Sequence, residues 1–344
     1  MLISWPEAAT MRPPCGHHAA TMPAMIRLRP LTRGRARGPR IVVLGDLVLD
    51  VVLAPDRSPE LGTDVPGRVM FVQGGSAATT ARWLGRLGVR SSLICAVGRD
   101  ATGRALVAAL RSDGVTPRVV RVAGARTGRI GVLVTPDGER SFVPDRGAAL
   151  MLGPADVRPE WFAGAVAVHV PTYSLLGEPL GLAGRRAVEL ARQSGAMVSV
   201  DLSSIGPLLA HGRRAARTLM ATTAPDILFA SAEEAEAFLG ANRPDGLLEY
   251  AAIAVIKRGS RGATVLARGA DGDRALRFEV ATRQVVTSDT TGAGDAFTAG
   301  FLVGWFAARA DGRSTAASLQ RAALGGHRAA ARQLTTARRE LVLG

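Results

Sequence analysis

Short apolar runs alternate with helical patterns along this 344-residue chain from Ile41 onward, and this alternation constrains the fold more than any other feature. Helical patterns fall at residues 77–87, 102–110, 181–193 and 232–239. The order predicts an α/β fold, with a mostly parallel sheet sandwiched by helices. Ligands of such sheets bind at the carboxyl ends of the strands. The predicted strands are "IVVLG", "SSLICAVG", "AVAVHVP", "AMVSVDL", "DILFAS" and "AIAVIKRG".

Two stretches break this rhythm, at residues 47–73 and 118–144. The second contains the turn sequence Pro136-Asp137-Gly138 between apolar runs, which is typical of a β-hairpin. We therefore expect a small separate β-sheet that acts as a lid over a substrate site. One domain is expected over residues 39–344. Residues 1–38 have no periodicity and are interpreted as a disordered extension or a mis-called start.

The composition favours a globular protein of the cytoplasm. Apolar residues make up 47% of the chain and charged residues 21%, as in ordinary globular proteins. No apolar run approaches the ~18 residues of a membrane span, and the opening lacks the apolar centre of a secretory signal. Cys15 and Cys95 are too few for a disulfide framework and are interpreted as free thiols. We expect no membrane association.

The net charge of +14 raises the question of nucleic-acid binding, but most of this charge lies in the tails. Residues 1–40 hold seven arginines and one glutamate, and residues 321–344 hold five arginines and one glutamate. Lys257 is the only lysine, which indicates a general preference for arginine. No aromatic residues interleave the basic ones, as a single-strand platform requires. Nucleic acid is therefore not expected as a partner.

The stretch "SDTTGAGDAFTAGF", residues 288–301, joins a run of small residues to an amphipathic helical pattern that continues to Trp305. The unpaired N–H groups and the dipole at such a helix start attract anions. Asp295 falls in the first turn, where its carboxylate could accept a proton beside a bound phosphate. A helix start with a favourable acidic residue and no ligand explains the same residues equally well.

Three further motifs each have a functional and a structural interpretation. Asp46 ends the first strand and Asp50 follows four residues later in "GDLVLD"; an Asp in this place can hold the hydroxyls of a polyol or stabilise a turn. Gly74-Gly75 allows close approach of a ligand or simply begins a helix. Glu233, Glu234 and Glu236, in the first turn of a helix after "DILF", can complement the dipole, or one of them can organise water around Mg²⁺. The signatures of Walker P-loops, dinucleotide folds and protein kinases are missing from the sequence.

Taken in order, these pieces resemble the ribokinase-like (PfkB) carbohydrate kinase family over about residues 41–335. "DTTGAGDAFTAGF" is the most specific of the shared motifs. The resemblance implies an ATP-dependent kinase that transfers the γ-phosphate to a hydroxymethyl group of a sugar or sugar-like molecule. The other shared motifs are "GDLVLD", "GGSAATTARWLGRLG", "AVGRDATGRALVAALRSDGV", "TPDGERSFVPDRGA", "SAEEAEAFLG" and "IKRGSRGA".

The resemblance also implies roles for individual residues. Asp295 would be the catalytic base, and the amides of Gly292, Ala293 and Gly294 would form an anion hole. The cofactors would be ATP and Mg²⁺, with K⁺ in some members. The remaining implied assignments are Asp50, Gly74, Gly75 and Thr79 for substrate hydroxyls; Ser231, Lys257, Gly259 and Gly262 for the nucleotide; Glu234 for Mg²⁺ through water; and Asp289 with Thr291 for a monovalent cation.

Two positions depart from the family pattern, since Thr79 and Ser231 stand where many members have Asn. They leave open a catalytically weak sugar-binding regulatory protein. A nucleoside kinase is the other alternative, and it would need an apolar or aromatic slot for the base. With 4% aromatic residues the chain offers few candidates, among them Phe71, Phe142 and Tyr173. A homodimer formed through the lid is a further expectation.

Overall fold

The computed structural model describes residues 38–137, 139–240, 243–269, 275–287 and 289–343. The prediction for residues 1–38 therefore lies outside the described residues, apart from Gly38, and so does Gly138 of the predicted turn. The strands in the described part of the chain are β1 (Arg40–Leu44), β2 (Val48–Pro55), β3 (Gly67–Gly74), β4 (Arg90–Gly98), β5 (Thr116–Val122), β6 (Thr127–Val134), β7 (Arg140–Gly147), β8 (Ala165–Pro171), β9 (Met197–Asp201), β10 (Ile227–Ser231), β11 (Ile253–Lys257), β12 (Ala263–Ala267) and β13 (Leu276–Val280).

Helices connect most of these strands. Across the described ranges, no helix combines the length and the apolar character needed to cross a membrane. The α-helices are α1 (Ser76–Arg86), α2 (Ala101–Ser112), α3 (Leu180–Gln193), α4 (Ile205–Leu209), α5 (Gly212–Thr223), α6 (Ala232–Leu239), α7 (Ala293–Ala310) and α8 (Thr315–Thr335).

Nine of the strands form the main sheet, in the order β13-β12-β11-β10-β9-β8-β1-β4-β5. The strands from β11 to β5 in this order are parallel to one another. At the other end, β12 and β13 are added as antiparallel strands. The carboxyl ends of the parallel strands therefore lie along one edge of the sheet.

Helices cover both faces of the main sheet. Successive residues of β1 point to opposite faces, so Ile41 and Val43 belong to one apolar cluster and Val42 and Leu44 to another. Helices α1, α2, α7 and α8 contribute to the first cluster, and α3, α4, α5 and α6 contribute to the second. The predicted α/β fold, with a mostly parallel sheet sandwiched by helices, is confirmed.

The other four strands form a separate small sheet in the order β3-β2-β6-β7. Strands β6 and β7 are the antiparallel pair expected on either side of the predicted turn. The prediction of a second small sheet is confirmed, with one correction to its bounds. Strand β5 begins at Thr116 and overlaps the start of the predicted interval 118–144, but it pairs with β4 in the main sheet. An apolar pattern shows which faces of a strand are buried, and it does not show which sheet an edge strand joins.

Candidate active site

Two predicted site residues, Ser231 and Lys257, and the unpredicted Asp201 lie where parallel strands of the main sheet end. Asp201 is the last residue of β9, Ser231 of β10 and Lys257 of β11. The N-termini of α1 and α7 meet at the same edge, because Ser76 Oγ donates a hydrogen bond to Asp295 Oδ1 at 2.6 Å. Ser76 was not predicted as a site residue, although it follows the Gly-Gly pair directly. The fold thus places a helix start, a carboxylate and a lysine at one edge.

Asp295 lies in the first turn of α7, in a partly buried position. Burial is the main reason that the pKa of Asp295 is raised to about 7. Ser76 and Lys257 lower this pKa, whereas the charges of Asp201 and Glu234 raise it. A carboxylate with a pKa near neutrality is suited to accept a proton at the working pH of an enzyme.

The backbone before Asp295 is open to an anion. Gly292 has a φ of +75°, a left-handed conformation that favours glycine. The N–H groups of Gly292, Gly294 and Asp295 have no acceptor among the described residues, and they lie at the positive end of the α7 dipole. The N–H of Ala293, another predicted donor, instead donates to Thr290 O at 3.2 Å. This helix start can therefore receive a phosphate group.

Lys257 is held beside this turn by a carboxylate that the sequence analysis missed. Its Nζ donates to Asp201 Oδ2 at 2.6 Å, and Thr298 Oγ1 donates to the same oxygen at 3.1 Å. A Cβ on Gly294 would lie 3.3 Å from Lys257 Nζ. Burial acts to lower the pKa of Lys257, but the charges of Asp201 and Glu234 outweigh burial and raise it. The available signal for Asp201 was its place at the end of the predicted strand "AMVSVDL".

Ser231 and Glu234 form a capping box at the start of α6. Ser231 Oγ accepts a hydrogen bond from Glu234 N at 3.1 Å, and Ser231 N donates to Glu234 Oε2 at 2.7 Å. Glu234 Oε1 has no partner among the described residues, and the charge of Glu234 acts on Asp295. Mg²⁺ keeps several waters and needs few protein ligands. One unpartnered carboxylate oxygen beside an anion-binding turn fits such an ion.

Asp50 and Gly74 pack against each other on the paired strands β2 and β3. A Cβ on Gly74 would lie 1.8 Å from Asp50 Oδ1, so glycine is required to leave room for this carboxylate. Asp50 Oδ2 accepts a hydrogen bond from Arg338 Nη2 at 2.7 Å. Burial raises the pKa of Asp50, while the charge and hydrogen bond of Arg338 oppose the increase. The sequence analysis did not single out Arg338.

Gly75 and Thr79 lie at the start of α1, next to the α7 turn. A Cβ on Gly75 would lie 2.3 Å from Asp46 O. Thr79 Oγ1 donates to Gly75 O at 2.9 Å within its own helix. The methyl carbon of Thr79 lies 3.0 Å from the position of a Cβ on Gly292. Thr79 therefore joins the two helix starts by packing, and its role toward a substrate stays a prediction.

Asp289 and Thr291, the predicted cation ligands, are contacted by arginines. Arg140 Nη1 donates to Thr291 Oγ1 at 2.6 Å and lies 3.7 Å from Asp289 Oδ1. Arg338 Nη1 lies 4.0 Å from Asp289 Oδ2. Gln333 Nε2 also donates to Thr291 O at 2.8 Å and so holds this segment to α8. Positive charge is thus already present beside Asp289.

Gly259 and Gly262 form the turn that follows Lys257. Both have a positive φ, +57° and +88° respectively. A Cβ on Gly262 would lie 2.2 Å from Val280 O. These glycines shape the connection between β11 and β12, and their predicted contact with a nucleotide stays a prediction.

A carboxyl group with a pKa near neutrality, next to a helix start that can receive a phosphate group, suits the transfer of a phosphoryl group to an alcohol. The sequence model of the pfkB family of carbohydrate kinases matches residues 39–338, and the chain belongs to this family. The protein is a phosphotransferase with an alcohol group as acceptor, and it depends on ATP. The resemblance found in the sequence motifs is confirmed.

Similar proteins agree with this assignment. The chain is 32% identical to Fructokinase-1 of Oryza sativa subsp. japonica over 279 residues, which cover 77% of this chain and 83% of the relative. Adenosine kinase from Sinorhizobium meliloti superposes with a TM-score of 0.72 at 25% identity, covering 87% of this chain and 94% of the other. A proposed ribokinase II from E. coli, in complex with ATP and Mg²⁺, superposes with a TM-score of 0.69 at 23% identity, covering 87% and 94%.

Proposed function

We propose that this carbohydrate kinase transfers the γ-phosphate of ATP to the hydroxymethyl group of a free sugar, with fructose as the first acceptor to test. The observation that carries the proposal is Asp295, whose pKa is raised to about 7 next to amides that have no acceptor among the described residues. The identity to a plant fructokinase supports a sugar acceptor. Asp50 and the glycine at position 74 supply a buried carboxylate for its hydroxyls.

The reaction follows from the geometry of these groups. A primary alcohol is a poor nucleophile, so Asp295 accepts its proton as the bond from the acceptor oxygen to the γ-phosphorus forms. The bond from that phosphorus to the β–γ bridging oxygen breaks, and ADP leaves. The amides at Gly292 and Gly294, together with Lys257, stabilise charge on the phosphoryl oxygens. Bound Mg²⁺ would neutralise phosphate charge, with Glu234 holding it through water.

The aromatic residues favour a sugar over a nucleoside. Phe71 pairs with Val51, whereas Phe142 pairs with Val132, which lies opposite Val52. Neighbouring residues of a strand point to opposite faces, so the two phenylalanines lie on opposite faces of the small sheet. They cannot form two walls of one slot for a base.

The third candidate for a base slot, Tyr173, already has a partner. The guanidinium of Arg146 lies 4.1 Å from the centre of its ring. The likeness to an adenosine kinase makes adenosine the principal competitor in an assay.

The test is ADP release from ATP and Mg²⁺ with fructose, ribose, 2-keto-3-deoxygluconate, fructose 6-phosphate, adenosine and other nucleosides. Turnover with a free sugar that disappears in Asp295→Asn is the expected result. Faster turnover with adenosine would assign a nucleoside kinase instead. Sugar binding without turnover for any acceptor would support a sugar-binding regulatory protein.

For the monovalent cation, we propose that Arg140 supplies the positive charge expected of K⁺. Its guanidinium contacts Thr291 and lies near Asp289. Replacing K⁺ by Na⁺ in the same assay should then change kcat less than about twofold. A strong dependence on K⁺ would contradict this role of Arg140.

We further propose that the small sheet is a lid and a dimer contact, in a protein of the cytoplasm. Its face opposite Asp50 carries exposed apolar side chains, including Val69 at 60% and Val143 at 73% exposure. Such an apolar strip on a sheet favours an isologous contact between two copies. Light scattering at increasing dilution measures this association, and a monomer at all concentrations would contradict it.

Gly74→Ala is expected to raise the acceptor KM by about tenfold or more and to destabilise the fold by about 1–3 kcal/mol. The added methyl group would lie 1.8 Å from Asp50 Oδ1, so the carboxylate must move. The matched control is Gly206→Ala, since a Cβ on Gly206 meets no atom within 4 Å. Steady-state kinetics and thermal unfolding of both variants check the expectation, and equal acceptor KM values would refute it.

A further inference from the structure

The C-terminal segment, residues 336–343, folds back from α8 onto the small sheet. Glu340 forms an antiparallel bridge with Val72, and Leu341 N donates to Phe71 O at 2.7 Å. Leu341 and Leu343 also pack against the apolar cluster formed by the main sheet and α7. Because β3 is an edge strand, the segment pairs with an edge that would otherwise be open. The segment therefore has a defined position beside the site.

Arg338 is directed from this segment to Asp50, 288 positions earlier in the chain. The side chain of Arg338 is 18% exposed and that of Asp50 is 9% exposed, so the ion pair is largely shielded from water. The neighbouring Arg339 is exposed. One arginine of this Arg-Arg pair thus contacts Asp50, and the other faces solvent.

The Asp50–Arg338 pair has unused hydrogen-bonding capacity. Asp50 Oδ1 has no hydrogen-bond partner among the described residues. A guanidinium has five N–H donors in a planar fork, and Arg338 uses Nη2 on Asp50. A carboxylate and a guanidinium side by side complement neighbouring hydroxyl groups, because each hydroxyl both donates and accepts. The pair also keeps a buried carboxylate next to its counter-charge, which suits an uncharged polyol.

We propose that Arg338 is an acceptor-binding residue. Asp50 accepts hydrogen bonds from the sugar hydroxyls, and Arg338 donates to the oxygen of a neighbouring hydroxyl. The C-terminal segment then forms one wall of the sugar site, although the part of the chain matched by the family ends within it, at residue 338. This inference rests on the proposed sugar kinase function.

The test compares Arg338→Ala and Arg338→Lys with the matched control Arg339→Ala. We expect Arg338→Ala to raise the acceptor KM about 10- to 100-fold, because a charged hydrogen bond is lost and Asp50 is left buried without its partner. The values of kcat and of the KM for ATP should change less than about threefold. Arg338→Lys keeps the charge but loses the planar fork of donors, so its acceptor KM should lie between those of the wild type and Arg338→Ala. The acceptor KM of Arg339→Ala should equal that of the wild type.

Two outcomes would overturn the proposal. An acceptor KM in Arg338→Ala equal to that in Arg339→Ala would remove Arg338 from the acceptor site. A lower acceptor KM would show that the segment competes with the sugar rather than binding it. The melting temperature shows whether Arg338→Ala folds. If it does not, the acceptor KM values of Arg338→Lys and Arg338→Gln are compared with that of Arg339→Ala, and the same two outcomes would overturn the proposal.

Failure of this inference can be distinguished from failure of the proposed function. Acceptor-dependent ADP release with a KM that is insensitive to position 338 rejects only the inference. No turnover with any acceptor rejects the kinase function. In that case, the affinity for fructose is measured by calorimetric titration of the wild type, Arg338→Ala and Arg339→Ala. Equal affinities of Arg338→Ala and Arg339→Ala reject the inference.

Discussion

Asp295→Asn is expected to lower kcat by ~10²–10⁴, with much smaller changes in the KM values for sugar and ATP. The asparagine amide can still accept a hydrogen bond from Ser76, but it cannot take a proton from the acceptor alcohol. In the wild type, kcat/KM should fall about tenfold per pH unit below pH 7, since the pKa of Asp295 is raised to about 7 and the carboxylate must be ionised to act. Rates measured from pH 5 to 9 check both statements.

The same substitution is expected to stabilise the protein above pH 7. The pKa of Asp295 is higher in the folded protein than its ordinary value of 3.8, so the folded state binds the proton more tightly. The contribution of Asp295 to wild-type stability therefore falls as the pH rises from about 4 to 7 and is level above it. An asparagine side chain cannot ionise, and the advantage of the variant should reach about 1–2 kcal/mol, less than the full shift implies because the carboxyl is partly exposed.

The control for this measurement is Asp64→Asn, at an exposed position. It should leave the melting temperature and kcat unchanged at every pH. A residual kcat in Asp295→Asn within about threefold of the wild type would reject Asp295 as the base. Equal stability of Asp295→Asn and the wild type at pH 8 would show that the carboxyl is ionised without cost.

The parts of the molecule that could be predicted from sequence are those that local patterns record. The alternation of apolar runs and helical periods gave the parallel sheet, because each strand and helix carries its own burial pattern. The stretch around Asp295 could be interpreted because small residues, a helix start and an acid follow one another directly. By contrast, helix α8 (Thr315–Thr335) was not predicted, although its Gln333 holds Thr291 in place.

The site residues that sequence analysis missed act through contacts between distant parts of the chain. Ser76 meets Asp295 across 219 positions, and Arg338 meets Asp50 across 288. A serine after two glycines or an arginine in a basic tail has no local feature that reveals its partner. The topology brings these residues together, so their roles become visible only when the sheet order and the return of the C-terminal segment are known.

Ser231 shows how a correct location can leave a role open. The sequence placed it at the end of a strand, and the family resemblance implied a nucleotide contact. In the structure its hydroxyl accepts from Glu234 N, so the cap is formed. Because a serine at an N-cap already satisfies the helix, its capping contact alone does not require a nucleotide.

Lys257→Met is expected to destabilise the protein by about 3–5 kcal/mol. Asp201→Asn is expected to destabilise it somewhat less. Lys257→Met leaves the carboxylate of Asp201, whose side chain is 2% exposed, without its counter-charge. Asp201→Asn leaves Lys257 with Glu234 and Asp295 as the remaining nearby charges. The double variant should cost less than the sum, because two neutral groups then face each other. Chemical denaturation of the three variants measures the coupling.

The two single variants should move the pH dependence of kcat/KM in opposite directions. Lys257 lowers the pKa of Asp295 and Asp201 raises it. Lys257→Met should therefore shift the acidic limb to higher pH, and Asp201→Asn should shift it to lower pH. Arg258→Met, next to Lys257 and paired with Glu279 on the surface, is the matched control and should shift neither. Shifts of the same sign in both variants would mean that a general loosening of the site, rather than the charges of this pair, sets the pKa of Asp295.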